Sequence, residues 1–442
     1  MVRSGHILIF TTVFFVFCTV TFGIERLPPP DFEETDHKMP TTDQITDVTP
    51  RAEIFQYIDV AVLAGTLVLS SYLILKKRSR RAVFLLMIFS LLYFGFYRKG
   101  CVCPIGAIQN FVLSIFDNTY ALSFSVLAFF VLPLVFTLFF GRTFCSAVCP
   151  LGAIQDLVLL RPIQVAPWLE GGLRLFAYIY LGAAVLLAAT GSAFIICRYD
   201  PFVAFFRITG HMSLLVLGLC FLLIGMFVGR PYCRFICPYG IILRQLTKIS
   251  KWKVTITPDE CIKCRLCEDA CPFGAITKPT VEWPQSSYSR SKKLLGFLLL
   301  LMPVLLFLGG WAGSGLSWSW SRMHPTVRLA ERIYMENEGQ VTDTTDASTT
   351  FRATGKPTTE LYNEASAIRN KMQYGGWLFG CFVGMVAGLK LIVPAVRKQR
   401  TEFEADKGGC LACGRCYKFC PKEHVRLKDL QEKRNNIDDK TV

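Results

Sequence analysis

Two cysteine runs have the residue types and spacing that bind iron–sulfur clusters. Cys261, Cys264, Cys267 and Cys271 precede Pro272, and Cys410, Cys413, Cys416 and Cys420 precede Pro421. Both runs follow C-x2-C-x2-C-x3-C-P, in which three thiolates wrap one [4Fe–4S] cluster and the fourth ligates the other cluster of a pair. We therefore predict a first ferredoxin set of Cys261, Cys264, Cys267 and Cys420, and a second ferredoxin set of Cys410, Cys413, Cys416 and Cys271. Zinc is the alternative, but it takes four ligands in two pairs rather than runs of four ending in Cys-Pro.

Further cysteines lie in an internal repeat that contains Cys-Pro motifs. The segment Gly141–Ile154 parallels Gly229–Ile242, and a third copy begins at Cys101. A degenerate fourth copy begins at Cys197 and has Asp200 where the other copies have the cysteine before proline. Proline after a ligand suits the first turn of a helix, whose positive end then faces an anionic cluster.

The repeat predicts two metal centres on opposite sides of a membrane. The inner set is Cys145, Cys149, Cys233 and Cys237, and the outer set is Cys101, Cys103 and Cys197 with Asp200 as a fourth ligand. Repeats in the same orientation indicate two halves related by an axis along the membrane normal. Two alternatives remain open, a disulfide between Cys101 and Cys103, and copper or zinc at the cysteine pairs. Cys18, Cys220 and Cys381 lie in apolar segments and are interpreted as small buried residues.

The composition indicates a membrane protein. The chain has 442 residues, 52% hydrophobic content and 36 phenylalanines, and its mean hydropathy is positive. These values favour a polytopic helical protein over a soluble one. The net charge is +15, but the basic residues flank apolar runs and cluster on alternate loops, so nucleic-acid binding is not expected. The sequence has no CxxCH motif, which argues against c-type haem.

The elements that position these cysteines are predicted to be membrane spans. Apolar segments lie at 54–75, 82–97, 119–140, 174–196, 212–228, 294–311 and 376–395. Each supplies, alone or with its flanks, the ~20 residues of a helical span. The basic cluster Lys76–Arg81 should be cytoplasmic, and counting spans from there places both ferredoxin runs and the C-terminus in the cytoplasm. We expect a mainly α, polytopic protein of a bacterial-type inner membrane with about seven or eight spans, an internal two-fold repeat and a small split two-cluster ferredoxin-like domain.

The predicted domain organisation follows from these spans. It comprises a signal peptide or first span (1–24), an extracytoplasmic linker (25–53), a membrane core with the repeated Cys-Pro motifs (54–250), the first half of the ferredoxin domain (251–292), a membrane hairpin (293–396) with an extracytoplasmic loop (311–375), the second ferredoxin half (397–426) and a polar tail (427–442). The two ferredoxin halves are therefore expected to meet in space although a hairpin separates them.

The motifs resemble those of NosR/NapH-type membrane polyferredoxins. The resemblance rests on the G-R-x-F/Y-C-x3-C-P-x-G repeats at Cys145 and Cys233 and on the paired ferredoxin runs, and it covers roughly 82–276 and 408–424. It implies electron transfer between quinol or cytoplasmic donors and extracytoplasmic acceptors. The chain departs from the family in its additional outer set. The loop 311–375 is also too short for the flavin-binding domain of NosR proteins, so a separate flavoprotein, with FMN, or a cytochrome is the expected partner.

These observations predict an electron-transfer subunit of an oxidoreductase complex. A hydrocarbon core of ~30 Å is too thick for one electron-tunnelling step. Two [4Fe–4S] clusters in the ferredoxin domain and one or two further clusters at the membrane faces would divide the distance. Two alternatives remain, a quinol dehydrogenase subunit that feeds a periplasmic reductase, and a copper-handling protein for metalloenzyme maturation.

Overall fold

The computed structural model describes residues 53–100, 103–207, 212–256, 261–280, 286–393, 400, 402–426, 428 and 432. The predicted N-terminal segment 1–24, nearly all of the linker 25–53, Cys101 and most of the tail 427–442 lie outside those residues. The described part is mainly helical, as predicted. Its strands, Ile276–Thr277 and Glu404–Ala405, form one short antiparallel pair.

Long helices are interspersed with short ones, and a helix begins at the proline that follows each of Cys103, Cys149, Asp200 and Cys237. The longer helices are Glu53–Leu75, Arg80–Ser90 (continued by a π-helical segment, Leu91–Tyr97), Pro104–Phe116, Phe124–Phe140, Pro167–Ala189, Met212–Gly225, Pro238–Ile249, Ser286–Ser321, Pro325–Asn337 and Thr358–Ile392. The shorter helices are Thr143–Ala147, Pro150–Leu157, Ile195–Tyr199, Pro201–Arg207, Pro231–Phe235, Leu266–Asp269, Asp346–Ala353 and Arg415–Phe419. Most predicted ligands lie in or next to the short helices.

Within the part of the chain that the structure describes, five helical segments are long and apolar enough to cross a membrane. They are Glu53–Leu75, Arg80–Tyr97, Trp168–Ala189, Lys292–Ser321 and Thr358–Ile392. The bent pair Pro201–Arg207 and Met212–Gly225 would be a sixth if it counted as one span. The predicted segment 119–140 forms a shorter apolar helix, Phe124–Phe140.

The structure shifts one predicted span toward the N-terminus. The segment 174–196 was expected to be a single helix, but the helix runs from Pro167 to Ala189. The helix begins at Pro167, and proline is favoured at the first helical position because its missing N–H would have no partner there. Gly191 has a left-handed φ of 68° and ends the turn that follows. As a result, Cys197 belongs to a separate short helix, Ile195–Tyr199.

The predicted loop 311–375 is helical over most of its length. The first hairpin helix continues to Ser321, and the second begins at Thr358. Two further helices, Pro325–Asn337 and Asp346–Ala353, lie between them. The side chains of Val327, Ile333 and Leu361 form a small core there. The lengths of the apolar runs did not predict these helices. A helix can continue beyond an apolar run when tertiary contacts stabilise it.

Glycines let the two hairpin helices pack closely. A Cβ atom at Gly380 would overlap the backbone carbonyl of Gly309, and one at Gly384 would overlap that of Leu305. Small residues at such crossings allow close backbone approach in membranes. The hairpin in turn packs against the helix Pro167–Ala189.

A methyl group at this crossing is expected to destabilise the hairpin. Gly380→Ala should lower the free energy of unfolding by about 1–3 kcal/mol, because the backbone of the helix Ser286–Ser321 must move away. Gly296→Ala is a matched control on that helix, since a Cβ there meets nothing within 4 Å. The measurement is guanidinium unfolding in detergent. Equal stability of the two variants would contradict the packing argument.

Candidate metal centres

The two ferredoxin halves meet through the short strand pair. Ile276 pairs with Ala405 and Thr277 with Glu404. The amide of Asp406 donates to the carbonyl of Ala275 at 2.7 Å, and the amide of Thr280 donates to that of Arg400 at 3.0 Å. This pairing brings the two cysteine runs together across the intervening hairpin.

The first ferredoxin set lines one cavity. Cys261, Cys264, Cys267 and Cys420 surround a space of about 20 Å³, together with Ile256 and Phe403. Burial raises the pKa of the Cys267 thiol to about 11. A cysteine thiol must lose its proton when it binds metal, so the positive charge of iron would have to offset the cost of burying the thiolate.

The second ferredoxin set lies deeper in the structure. Cys271, Cys410 and Cys413 pack around Phe273 and Leu411. Burial raises the pKa of the Cys416 thiol, and the nearby thiolates of Cys413, Cys410 and Cys271 raise it further. The structure thus brings the fourth cysteine of each run toward the first three of the other.

The two ligand loops share one backbone conformation. Lys263 and Arg265 have φ values of 53° and 67°, and their counterparts Ala412 and Gly414 have 54° and 71°. The amide of Ala412 donates to Cys410 Sγ at 3.4 Å. The left-handed residue Ala412 therefore turns its amide toward a ligand sulfur, and the loop at Lys263 follows the same backbone path.

Cys145 and Cys233 lie within the short helices Thr143–Ala147 and Pro231–Phe235, and the other two members of the inner set directly precede helices. Cys149 and Cys237 are the N-cap residues of Pro150–Leu157 and Pro238–Ile249, and Cys237 Sγ accepts from the amide of Gly240 at 3.3 Å. Burial raises the pKa of the Cys237 thiol, and the thiolates of Cys233, Cys149 and Cys145 add to this effect. The four predicted ligands of the inner set are therefore electrostatic neighbours.

Paired arginines relate the two halves of the inner set. A Cβ atom at Gly152 would lie 3.0 Å from Arg230 Nη1, and one at Gly240 would lie 3.4 Å from Arg142 Nη2. Each arginine therefore crosses to the Cys-Pro-x-Gly segment of the opposite copy. Arg142 Nη2 also lies 3.7 Å from Cys145 Sγ. Two buried cations beside four thiols form an environment suited to an anionic centre.

The outer set repeats part of this geometry. The Gln155 side chain accepts from the amide of Tyr232 at 3.1 Å, and the Gln109 side chain accepts from that of Ile196 at 3.0 Å. Tyr232 and Ile196 each immediately precede a predicted cysteine ligand. A Cβ atom at Gly106 would lie 3.0 Å from Cys197 Sγ. The Cys103 and Cys197 copies therefore pair much as the Cys149 and Cys233 copies do.

A cavity of about 360 Å³ holds the described members of the outer set. Cys103, Cys197 and Asp200 line it, and Cys101 lies outside the residues that the structure describes. Burial raises the pKa of Asp200 to about 6, although its carboxylate accepts from the amide of Phe202 at 2.9 Å. A bound cation would lower the pKa of this carboxyl again, because a nearby positive charge favours the ionised form.

The donor sets fit iron–sulfur clusters. Within the described ranges, no three His, Cys, Asp or Glu residues form a group that could hold a single metal ion. A cubane holds its four thiolates farther apart than one ion does, so this spacing does not count against a cluster. The hydroxyl of Tyr232 is buried without a hydrogen-bond partner, and Cys237 and Cys103 are among its electrostatic neighbours. A cluster sulfur could accept from this hydroxyl.

A buried charge cluster joins the membrane core to the ferredoxin domain. Asp156 has ion pairs with Arg80 at 2.7 Å, Arg415 at 3.2 Å and Arg230 at 3.4 Å. Arg80 also donates to the carbonyl of Cys413 at 3.1 Å. Arg230 donates to the carbonyls of Cys145 and Ser146. The arginines of this charge cluster therefore contact the backbone of both the second ferredoxin set and the inner set.

These supporting residues were not among the ligands that the sequence predicted. A usable signal existed for the glutamines, because Gln109 and Gln155 each stand six residues after a Cys-Pro cysteine. Arg142 and Arg230 recur in the Gly-Arg step of the repeat. Asp156 had no such signal, because its partners come from three distant segments.

Two family models, both described as 4Fe-4S binding domains, match the chain. One matches twice, at residues 122–167 and 210–257, and the other matches residues 254–277. The first model covers both halves of the inner set, and the second covers the run that begins at Cys261. The chain therefore contains 4Fe–4S binding domains, which confirms the prediction made from cysteine spacing.

Several curated proteins are similar over parts of the chain. An uncharacterized protein of Methanocaldococcus jannaschii is 33% identical over 67 residues, which are 15% of this chain and 27% of that protein. The putative electron transport protein YccM of Escherichia coli is 27% identical over 24% of this chain and 32% of its own length. Protein NirI of Paracoccus denitrificans is 32% identical over 26% of this chain and 18% of its own length. Each match spans less than half of the relative, and no solved structure matches the chain.

Proposed function

We propose that this protein carries electrons across a bacterial-type inner membrane. The cytoplasmic ferredoxin domain would exchange electrons with a cytoplasmic donor, and the outer set would exchange them with an extracytoplasmic flavoprotein, cytochrome or reductase. Each bound cluster would take up and release one electron. The name of YccM, a putative electron transport protein, supports the same class of function.

The observation that carries this proposal is that side chains connect the four sets in order. Cys416 of the second ferredoxin set packs with Cys261 and Cys267 of the first. Cys145 of the inner set packs in one apolar cluster with Cys271 and Cys410. Neighbouring ferredoxin and inner sets therefore share apolar contacts rather than being separated by solvent.

Aromatic side chains continue this connection toward the outer set. The ring of Tyr232, next to Cys233, meets the ring of Phe202 with centroids 5.4 Å apart. Phe202 lies two residues after Asp200, and its amide donates to the Asp200 carboxylate. Buried protein therefore fills the space between the inner and outer sets and would keep water out of it.

The test combines metal analysis with one variant. After anaerobic purification in detergent, we expect about sixteen irons and sixteen acid-labile sulfides per chain, four cubanes in all. In proteoliposomes, Cys197→Ser should abolish transfer from an inside reductant to an outside acceptor while both ferredoxin clusters keep their electron paramagnetic resonance signals. Cys220→Ser is the matched control, because this cysteine belongs to none of the sets.

Other metal contents would redirect the assignment. About eight irons would limit the clusters to the ferredoxin domain. Copper without additional iron would favour the copper-handling alternative. Unchanged transmembrane transfer in Cys197→Ser would contradict the role of the outer set.

One observation favours the quinol alternative. An apolar cavity of about 820 Å³ lies between helices, and Phe111, Phe130, Leu181 and Phe379 contribute to its lining. Lys371 and Tyr374 supply polar atoms at the same cavity. A quinone has an apolar tail and a polar headgroup, which suit such a lining. Reduction of the clusters by a short-chain quinol in detergent would support this role.

A further inference from the structure

The first ferredoxin set lies at a protein surface. Cys264 is exposed, and the neighbouring side chains of Ile262 and Phe419 are 59% and 49% exposed. In the second set, by contrast, Cys413 is buried and packs toward the membrane core. An electron carrier in the cytoplasm would therefore approach the domain most closely at Cys264.

Exposed cations surround this surface. Lys263, Arg265 and Lys418 are exposed, and the Arg265 side chain retains 62% of its accessible area. We call these three cations, with Ile262 and Phe419, the Cys264 face. Within residues 261–280, Asp269 is the exposed acidic residue, whereas Glu268 is buried and paired with Lys278 at 2.9 Å and with Arg265 at 3.9 Å. The Cys264 face is therefore an apolar centre with a predominantly basic rim.

Backbone geometry does not account for two of these cations. Lys263 and Arg265 occupy left-handed positions, which β-carbon-bearing residues adopt at a cost. The equivalent positions of the buried second run have Ala412 and Gly414. Glycine adopts this conformation at the lowest cost, and the buried loop has only the small residues alanine and glycine there. The long cations of the exposed loop therefore point to a role on the solvent side.

We propose that the Cys264 face docks a small acidic electron-carrier protein. This inference rests on the proposed electron-transfer function and adds the docking surface and the charge of the partner. One electron would pass from the reduced carrier to the cluster of the first set, which oxidises the carrier by one electron and reduces the cluster by one, with no bond made or broken. An apolar centre would be covered on docking, and the basic rim would orient the acidic partner.

A protein partner fits this face better than an anionic lipid surface. The cations surround the exposed Cys264, where short-range access matters for electron transfer. Headgroup binding alone would not require an exposed ligand at the centre of the patch. A lipid surface would also cover the route by which a cytoplasmic carrier reaches the cluster.

The test uses full-length protein in phosphatidylcholine nanodiscs and an acidic plant-type [2Fe–2S] ferredoxin as the probe. We expect the ferredoxin to reduce the clusters at a rate that falls steeply as salt rises from 20 to ~500 mM, because screening weakens electrostatic steering. Lys263→Glu with Arg265→Glu should slow the association rate about tenfold at low salt and weaken binding of the oxidised ferredoxin. Lys356→Glu, an exposed site far along the chain in the helical segment 311–375, should leave both quantities unchanged.

Dithionite separates failure of docking from failure of the proposed function. If dithionite reduces the clusters of the double variant as in the wild type while ferredoxin binding is lost, the docking proposal stands. Equal ferredoxin binding by wild type and the double variant would overturn it. It would also be overturned if the two proteins differed only in nanodiscs that contain phosphatidylserine, since the face would then contact lipid headgroups. Clusters that dithionite cannot reduce would contradict the electron-transfer function itself.

Discussion

Asp156→Asn is expected to lower the free energy of unfolding by about 3–5 kcal/mol, because it leaves buried arginine charge without a counter-ion. The Asp156 side chain is fully buried, and its partner Arg230 is 1% exposed. Arg230 and Arg80 also donate to the carbonyls of Cys145 and Cys413, and without Asp156 they would no longer be held against those carbonyls. We therefore also expect partial iron loss from the second ferredoxin set and the inner set. Guanidinium unfolding in detergent and iron analysis measure the two effects.

A control with the same chemical change separates local from general effects. Asp346→Asn removes the charge of an exposed carboxylate and should alter stability by less than about 0.5 kcal/mol. If Asp156→Asn were as stable and as rich in iron as this control, the charge cluster would have no structural role.

The effect of Asp156 should not vary with pH near neutrality. Burial alone would raise the pKa of this carboxyl, but the charges of Arg230, Arg415 and Arg80 outweigh burial and hold the pKa below its usual range. A depressed pKa contributes stability above the unfolded value of about 3.9, and this contribution is lost as the pH falls through the folded value. The difference between wild type and Asp156→Asn should therefore be constant from pH 8 to about pH 5.

Cys420→Ser is expected to remove the cluster of the first ferredoxin set, although Cys420 belongs to the second run in sequence. The structure places Cys420 in one cavity with Cys261, Cys264 and Cys267. The variant should lose about four irons per chain. Combining it with Cys264→Ser should cause no further loss, because both variants affect one cluster. Combining it with Cys413→Ser should bring the loss to about eight irons.

Non-additive iron loss identifies ligands of one cluster, which single variants cannot do. Cys220→Ser should retain all iron. If Cys420→Ser with Cys413→Ser lost only about four irons, each run would bind its own cluster and the crossed arrangement would be wrong.

Local patterns in the sequence predicted the class of site and the helical architecture. The Cys-x2-Cys spacing predicts a [4Fe–4S] cluster because three ligands of a cubane lie within one short loop. Apolar runs predicted helices because a span must satisfy its backbone hydrogen bonds internally. The internal similarity around Cys145 and Cys233 could be read directly, and one 4Fe-4S binding domain model matches both regions.

Element boundaries depended on more than hydropathy. The helices Ser286–Ser321 and Thr358–Ile392 extend beyond their apolar runs. Their close crossing at Gly309 and Gly380 holds the two backbones together. Hydropathy measures the fit to a lipid environment, whereas helix length also depends on the tertiary partner. Hydropathy alone therefore predicted a loop at 311–375, where the structure has helices over most of the length.

Helices fit for a membrane and 4Fe–4S binding domains could both be predicted from the sequence, because both follow from the chemistry of residues that are neighbours along the chain. The pairs of distant side chains that meet could be identified only from the folded structure. Asp156 gathers Arg80, Arg230 and Arg415, and Tyr232 reaches Phe202. Such contacts depend on how the helices pack. The position of a single buried carboxylate or ring in the sequence shows no periodicity or spacing from which its partner could be predicted.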